Sequence, residues 1–399
     1  MTHPGRQNRQ TRIDLFRTGA AAMLASLLAA CSSGSGGDDQ GTGEQDSGTT
    51  SAADSGTGTG TDSTGGTASG AEVASGEAIA SGLEAPWSIA YVGDTPLISE
   101  RDSGRILELS ANGEAREITR LDDVSAQGES GLHGLAVQDD ELFAYYAADG
   151  ENRIERFAIS GDPGSLSLGE PETVLDGLPT ANFHNGGRLA FGPDDMLYAT
   201  LGDTGDRDSA QDREALSGKI LRMTTDGDAP EDNPFDDSLV YSYGHRNPQG
   251  IAWDSEGTMY ASEFGQDTWD ELNVIEAGGN YGWPEVEGIA GENGGDSGNS
   301  GSGDFIDPVQ QWSPDEASPS GMAITEDSIF IANLRGERLR EIPLDDLADS
   351  TEDWAGEHGR LRDIAVAPDG SLQVLTNNTD GRGDPGDGDD RLLSFDPES

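Results

Sequence analysis

The sequence predicts an all-β protein whose main domain is a six-bladed β-propeller. The first indication is a phrase that occurs six times: a short apolar strand with alanine as its third residue, a polar turn and a second strand. The second is the interval between phrases, since a unit repeated at roughly 40 to 50 residues, with insertions, is typical of propeller blades. The six alanines are Ala90, Ala136, Ala190, Ala252, Ala323 and Ala365.

The first 30 residues have the pattern of a lipoprotein signal peptide. Four arginines precede an apolar run at residues 19–30, which is shorter than the roughly 20 residues that a membrane-spanning helix needs. The run ends in Leu-Ala-Ala before Cys31, the only cysteine, and resembles a lipoprotein signal-peptidase box. This resemblance implies that Cys31 becomes the lipidated first residue of an exported protein, anchored at the cell surface or in the periplasm. The alternative is a non-lipidated signal peptide with an incidental cysteine.

Residues 31–76 are predicted to be a disordered tether. They are rich in Gly, Ser, Thr and Asp, so they cannot bury enough apolar surface to fold. The propeller is expected to span residues 77–397. Residues 78–80 and 392–395 are candidates for strands that pair with each other and close the ring of blades.

The charge of the chain excludes one class of partner. With 76 acidic and 23 basic residues, the formal net charge is -53, so nucleic acid would be repelled. The same repulsion argues against docking of the folded domain to anionic lipid, which leaves the lipid at Cys31 as the membrane contact. We interpret the excess of carboxylates as an adaptation to high salt, where a Debye length of about 3 Å screens self-repulsion.

The strand order of a blade predicts where the site lies. The loops that precede the first strand and the loops that follow the second strand share one face of a propeller. In a chain with so few cations, several arginines fall in these loops, together with one histidine and one aspartate. They are Arg246, Arg335, Arg360, Arg362, His184 and Asp203.

A cationic pocket in such an acidic protein is expected to hold a small polyanion. Arginine suits planar carboxylates because its guanidinium binds them in a bidentate fork. The alternative is that these arginines pair with surface carboxylates and that His184 is a structural, hydrogen-bonded group.

Several longer segments together form a pattern more specific than any short motif. They are HNGGRLAFGPDDMLYATLGDTGDRDSAQD, LSGKILRM, DNPF, YSYGHRNPQGIAW, SEFGQDTWDELN and GGNYGWP. With these segments the chain resembles a known family over residues 83–395, the soluble glucose/aldose sugar dehydrogenases that depend on pyrroloquinoline quinone (PQQ). The resemblance implies a six-bladed propeller with PQQ and calcium on one face.

The resemblance implies catalytic roles for three residues, His184, Asp203 and Arg246, and a cofactor contact for Asn247. His184 corresponds to the catalytic base, and Asp203 to the acid that orients it. Arg246 and Asn247 correspond to the pair that contacts the quinone carbonyls, with Arg246 also stabilising negative charge in the reaction.

Four further residues are implied to bind the cofactor or to lie beside it. Arg360 and Arg362 match arginines that bind or flank PQQ. Arg335 stands where some members have lysine, and both residue types can bind a carboxylate of PQQ. Glu129 stands where some members have glutamine, so a carboxylate faces an anionic cofactor at this position.

The implied calcium ligands are of two kinds. Gly265 and Gln266 match two main-chain carbonyls that bind the active-site calcium, with Gln266 at a position where proline is common. Glu271 and Tyr281 match ligands of a second, structural calcium found in some members.

The expected reaction is the oxidation of an aldose at C1 to its lactone, with electrons passing from PQQ to an external acceptor that the sequence does not identify. Trp87, Tyr281 and Trp312 are candidates either for stacking on sugar or cofactor or for core packing. Two other functions stay open: a metal-dependent lactonase, and a non-catalytic, surface-tethered propeller that binds sugar.

Overall fold

The computed structural model describes residues 76–290 and 305–397. In these ranges the regular structure consists of 25 β-strands and one 3-10 helix, Arg207–Gln211. The strands form six sheets that follow one another along the chain, which confirms the predicted propeller. The expected signal peptide, Cys31 and tether residues 31–75 lie outside the described residues. Within the described ranges, no helix is long and apolar enough to cross a membrane.

The sheets contain four or five antiparallel strands each. Strand β1 (Glu77–Ser81) belongs to the last blade. Blade one contains β2 (Pro86–Val92), β3 (Thr95–Glu100), β4 (Arg105–Leu109) and β5 (Ala115–Arg120). Blade two contains β6 (Leu132–Gln138), β7 (Glu141–Ala148), β8 (Glu151–Ser160), β9 (Ser167–Leu168) and β10 (Glu172–Leu178). Blade three contains β11 (Leu189–Phe191), β12 (Leu197–Leu201), β13 (Lys219–Met223) and β14 (Val240–Tyr243).

The remaining blades repeat the same order. Blade four contains β15 (Pro248–Trp253), β16 (Met259–Glu263), β17 (Asp270–Ile275) and β18 (Gln310–Trp312). Blade five contains β19 (Pro319–Ile324), β20 (Ser328–Asn333), β21 (Arg338–Pro343) and β22 (Thr351–Asp353). Blade six contains β23 (Leu361–Val366), β24 (Leu372–Thr376) and β25 (Arg391–Phe395), and its outer edge is completed by β1.

The ring closes at both its inner and its outer strands. The first strand of each blade contacts the first strand of the next, from β2 through β6, β11, β15, β19 and β23 and back to β2. At the periphery, β1 pairs antiparallel with β25, with Glu77 opposite Ser394. The predicted pairing of the two chain ends is therefore confirmed, and it covers strand edges that would otherwise be open.

The repeated alanines explain how neighbouring blades pack. The buried apolar residues form six clusters, each joining two adjacent blades. Ala90 packs in the cluster shared with blade two and Ala136 in the one shared with blade three; the other four alanines likewise lie against the following blade. A methyl side chain at this point allows two twisted sheets to approach closely while burying apolar surface.

Candidate active site

A pocket lies where loops of all six blades converge, on the face that the strand order predicts. Each blade contributes through the loop before its first strand, the start of that strand or the loop after its second strand. Four arginines line it, two of which the sequence singled out, so we call it the cationic pocket. One lining residue from each blade in turn is Arg101, Glu129, Gly186, Gln249, Leu334 and Arg360.

A second, smaller cavity adjoins the cationic pocket, since Phe264 lines both. Three glutamates contribute to its wall, and we call it the acidic cavity. It brings together Gly265, Glu271 and Tyr281, three of the four residues implied to bind calcium. Its lining includes Arg246, Glu263, Gly265, Glu271, Tyr281, Trp283 and Glu287.

His184 and Asp203 form a hydrogen-bonded pair that contacts lining residues of both spaces, Glu129 of the cationic pocket and Trp283 of the acidic cavity. Nδ1 of His184 lies 2.7 Å from Oδ1 of Asp203, and the Asp203 side chain is fully buried. Asp203 also accepts hydrogen bonds from the main-chain N–H of Gly205 at 2.8 Å and from Nε1 of Trp283 at 2.9 Å. Burial alone would raise the pKa of Asp203, but these donors hold the pKa below its usual value. An ionised Asp203 requires Nδ1 of His184 to carry the proton, so Nε2 is the basic nitrogen.

The backbone at His184 is held in an unusual conformation. Its φ of 57° lies in the left-handed region, which non-glycine residues adopt rarely and which occurs at functional sites. The carboxylate of Glu129 accepts the His184 N–H at 3.0 Å, and Thr204 donates to its carbonyl at 3.3 Å. A Cβ at Gly202 would lie 2.2 Å from that carbonyl oxygen, so only glycine fits there. Contacts from three directions therefore fix the histidine.

Arg246 and Asn247 are positioned by one buried glutamate. Glu263 accepts hydrogen bonds from the main-chain N–H groups of both residues and, at 2.8 Å, from Nδ1 of His245. The guanidinium of Arg246 donates to the carbonyl of Phe264 at 3.1 Å, and burial lowers its pKa. The side-chain oxygen of Asn247 accepts the N–H of Gly186 at 3.0 Å, which ties this turn to the loop carrying the histidine.

Arg360 and Arg362 line the cationic pocket, as the sequence predicts. Arg360 pairs with Asp380 at 3.1 Å. Arg362 donates to the side chain of Gln249 at 3.1 Å and lies over the ring of Trp87, and no ion pair joins it to a carboxylate of the described residues. Burial, with the nearby positive charges, holds the pKa of Arg362 well below its usual value. Such a buried cation favours an anionic partner.

Glu129 faces the cationic pocket, and both oxygens of its carboxylate already accept hydrogen bonds. Besides the N–H of His184, it binds the guanidinium of Arg382 at 2.9 Å. Burial would raise the pKa of Glu129, yet the hydrogen bond from His184 and the Arg382 charge hold the pKa below its usual value. Arg382 was not among the predicted site residues, because its Asp- and Gly-rich stretch carries no repeat or motif. The ion pair spans 253 residues of sequence.

The other predicted residues fall in different surroundings. Arg335 is 62% exposed and pairs with Asp315 at the surface, outside the lining of the cationic pocket. Gln266 lies exposed in the loop after Gly265. Glu271 is buried, and burial together with Glu263 raises its pKa to about 8. The hydroxyl of Tyr281 donates to the carbonyl of Val274 at 2.7 Å, which leaves its main-chain oxygen as the atom open to a cation.

The three aromatic residues weighed for stacking are packed inside the protein. Trp87 is 1% exposed and lies between the guanidinium groups of Arg188 and Arg362, at 4.4 and 4.5 Å. Tyr281 and Trp312 are likewise buried. Core packing therefore describes Trp87 and Trp312, whereas Tyr281 stacks on His245 and lines the acidic cavity. Trp283, which donates to Asp203, was missed as a functional residue although it lies within the quoted segment GGNYGWP.

The comparisons with known proteins agree with this geometry. A PQQ-bound aldose sugar dehydrogenase from Streptomyces coelicolor shares 48% sequence identity, and its structure superposes over 82% of this chain and 97% of that chain with a TM-score of 0.74. Aldose sugar dehydrogenase YliI from Escherichia coli is 29% identical over 75% of this chain and 89% of its own length. Quinoprotein glucose dehydrogenase B from Acinetobacter calcoaceticus is 31% identical over 54% of this chain and 53% of its own length.

Fold and site together define a propeller enzyme of the sugar-dehydrogenase class, which is a class of oxidoreductases. Residues 83–384 match the family described as Glucose / Sorbosone dehydrogenase, and the chain belongs to this family.

Proposed function

We propose that this protein oxidises the C1 hydroxyl of an aldose to the lactone, using PQQ and calcium, and passes the electrons to an external acceptor. The observation that carries the proposal is the His184–Asp203 pair, held at 2.7 Å beside a pocket lined by arginines. The proposed setting is outside the cytoplasm, with the mature chain anchored by lipid at Cys31.

The cationic pocket fits an anionic cofactor such as PQQ, which carries three carboxylates. Nε of Arg360 and Nε of Arg362 are buried without a hydrogen-bond partner in the described part of the chain, as is Nε of Arg246. Buried donors without partners are costly, so a ligand with acceptor oxygens is favoured. In this proposal Arg360 and Arg362 bind carboxylates of PQQ, while Arg246 and Asn247 contact the quinone oxygens. Arg335 would also bind a carboxylate of PQQ, after its ion pair with Asp315 is broken.

Main-chain oxygens of Gly265 and Gln266 are the proposed calcium ligands, in keeping with the preference of calcium for oxygen. Glu271 and the main-chain oxygen of Tyr281 would hold a second calcium in the acidic cavity. When bound, PQQ supplies a two-electron sink for the hydride from C1, and calcium supplies a Lewis acid beside it.

Residues of the chain itself carry out the proton transfer. Asp203, ionised and buried, keeps the Nδ1–H tautomer of His184. Nε2 then removes the proton from the C1 hydroxyl, and the O–H electron pair forms the carbonyl bond of the lactone as the C1–H bond breaks. The carboxylate of Asp203 stabilises the imidazolium that results. Arg246 stabilises negative charge that develops on the acceptor side.

Reconstitution tests the proposal. Apoprotein in high salt receives PQQ and calcium, and reduction of an artificial dye is followed with a panel of aldoses. PQQ-dependent dye reduction is the expected result. Binding of PQQ without dye reduction would instead support the non-catalytic sugar-binding propeller. Absence of PQQ binding would contradict the proposal and favour the lactonase.

A further inference from the structure

The loop between β16 and β17 is organised by a single carboxylate oxygen. Oε1 of Glu287 accepts hydrogen bonds from four consecutive main-chain N–H groups, at 2.6, 3.0, 3.0 and 3.2 Å. Such a concavity of successive amides is a binding site for an anion, and here the protein supplies the anion itself. The donors are Gln266, Asp267, Thr268 and Trp269.

The preceding amide of the loop is held in the same way. The N–H of Gly265 donates to Oδ1 of Asp270 at 2.8 Å, and the other oxygen of Asp270 accepts the N–H of Ser318 at 2.7 Å. A Cβ at Gly265 would lie 1.7 Å from the carbonyl oxygen of Trp269, so the tight turn requires glycine. Five successive amides of the loop are therefore bound to two carboxylates.

The direction of the amides fixes the direction of two carbonyls. In a trans peptide unit the N–H and the preceding C=O point to opposite sides. The N–H of Gln266 shares its peptide unit with the carbonyl of Gly265, and the N–H of Asp267 shares its unit with the carbonyl of Gln266. Because both N–H groups point at Glu287, both carbonyls point away from it. Neither carbonyl oxygen accepts a hydrogen bond within the described ranges.

We propose that Glu287 is a positioning residue that presents the carbonyl oxygens of Gly265 and Gln266 to the active-site calcium. This inference rests on the proposed function, which assigns those two oxygens to calcium. The contribution has two parts. Glu287 fixes the two carbonyls in place before the cation arrives, so less ordering is needed on binding. Its charge on the N–H side of each peptide group also polarises the carbonyl, which strengthens it as a ligand.

Two variants and one control test this role. E287A removes the acceptor, and E287Q keeps the shape while removing the charge. D267N is the matched control, because Asp267 lies in the same loop and carries the same charge. Its carboxylate accepts a hydrogen bond from the side chain of Gln266 and from no main-chain N–H of the loop in the described ranges. The first readout is the calcium concentration that gives half-maximal PQQ binding. Binding is detected by the absorbance of the bound cofactor in the absence of sugar.

We expect E287A to raise the calcium midpoint at least 10-fold, E287Q to raise it less, and D267N to stay within 2-fold of the wild type. Saturating calcium should restore full PQQ binding in E287A. A higher calcium concentration offsets the loss of Glu287, because the bound cation orders the two carbonyls in the same geometry. An unchanged midpoint in E287A would overturn the inference. So would a loss of PQQ binding that no calcium concentration restores, because the role would then be structural.

A second readout separates this inference from the proposed function. Amide hydrogen exchange at residues 266–269 is measured on apoprotein without calcium or PQQ. Faster exchange in E287Q than in D267N is expected, and equal exchange would overturn the positioning role. If the wild type binds no PQQ at any calcium concentration, the proposed function fails, and with it the assignment of these oxygens to calcium.

Discussion

The side chain of Asp203 is bonded on one oxygen to Nδ1 of His184, at 2.7 Å, and on the other to Nε1 of Trp283, at 2.9 Å. The carboxylate thus has a fixed donor on each side and cannot rotate without losing one of them. This relationship joins the loop after β12 to the wall of the acidic cavity, and it fixes the tautomer of His184, with the proton on Nδ1.

Replacing Asp203 by asparagine tests the orienting role. D203N keeps the shape of the side chain but removes the charge and allows His184 to hold its proton on Nε2. We expect kcat for aldose oxidation to fall about 10²- to 10⁴-fold, because general-base catalysis contributes on that scale. PQQ affinity should change less than 3-fold. A D203N enzyme with full kcat would contradict the role.

The ion pair between Glu129 and Arg382 predicts a compensating double mutant. R382A exposes the charge of Glu129 to an anionic cofactor, so PQQ affinity should fall about 5- to 10-fold at low salt. E129Q alone should keep or raise the affinity, because it leaves the Arg382 cation unpaired, and E129Q/R382A should restore it close to the wild type. The measurement is PQQ binding in the absence of sugar. Additive losses in the double mutant would show that the pair does not act by charge compensation.

Two of the three arginines predicted to bind carboxylates, Arg362 and Arg335, should differ in importance. R362A removes a buried cation without a carboxylate partner in the described chain, and we expect PQQ binding to weaken at least 100-fold. Arg335 is exposed and paired with Asp315, so R335A should weaken binding less than 10-fold. Titration of each apoprotein with PQQ at saturating calcium makes the comparison, and the reverse order would be inconsistent with the pocket described above.

Buried His133 predicts a specific loss of stability in acid. Its Nε2 donates to the carbonyl of Glu129 at 2.8 Å, and burial, with the charges of Arg362 and Arg101, lowers its pKa to about 3. The unfolded chain, with a pKa near 6.5, therefore binds more protons between pH 3 and 6.5. Stability is then lost as pH falls through this window, by up to about 1.4 kcal/mol per pH unit.

The variant H133Q isolates this effect, because glutamine can donate to the same carbonyl without titrating. Free energies of unfolding of both proteins, measured in high salt from pH 7 to 4, should diverge as pH falls, with the wild type losing more. Parallel curves would contradict a neutral, buried His133.

Much of the fold follows from the repeated phrase, because each alanine must pack against the next blade and each turn reverses the chain once per hairpin. The closing pair of β1 and β25 was also predictable from two short apolar segments at the domain ends. The face of the site follows from strand direction alone. These features depend on short patterns of neighbouring residues, which can be recognised in a single sequence.

The partners of the site residues were not predictable in the same way. Arg382 and Glu287 lie in segments without strand pattern, and their contacts are set by loops that meet only after the ring has closed. The burial of Trp87 and Trp312 could not be inferred either. The sequence around an aromatic residue in a rim loop does not indicate whether its ring faces solvent or packs against a guanidinium group.

The most direct test of the central claim is the variant H184A, assayed for PQQ binding and for dye reduction with aldose in the same preparation. We expect PQQ still to bind, because arginines of the pocket hold it, and turnover to be abolished, because no base removes the C1 hydroxyl proton. Undiminished sugar oxidation by H184A would show that His184 is not the catalytic base.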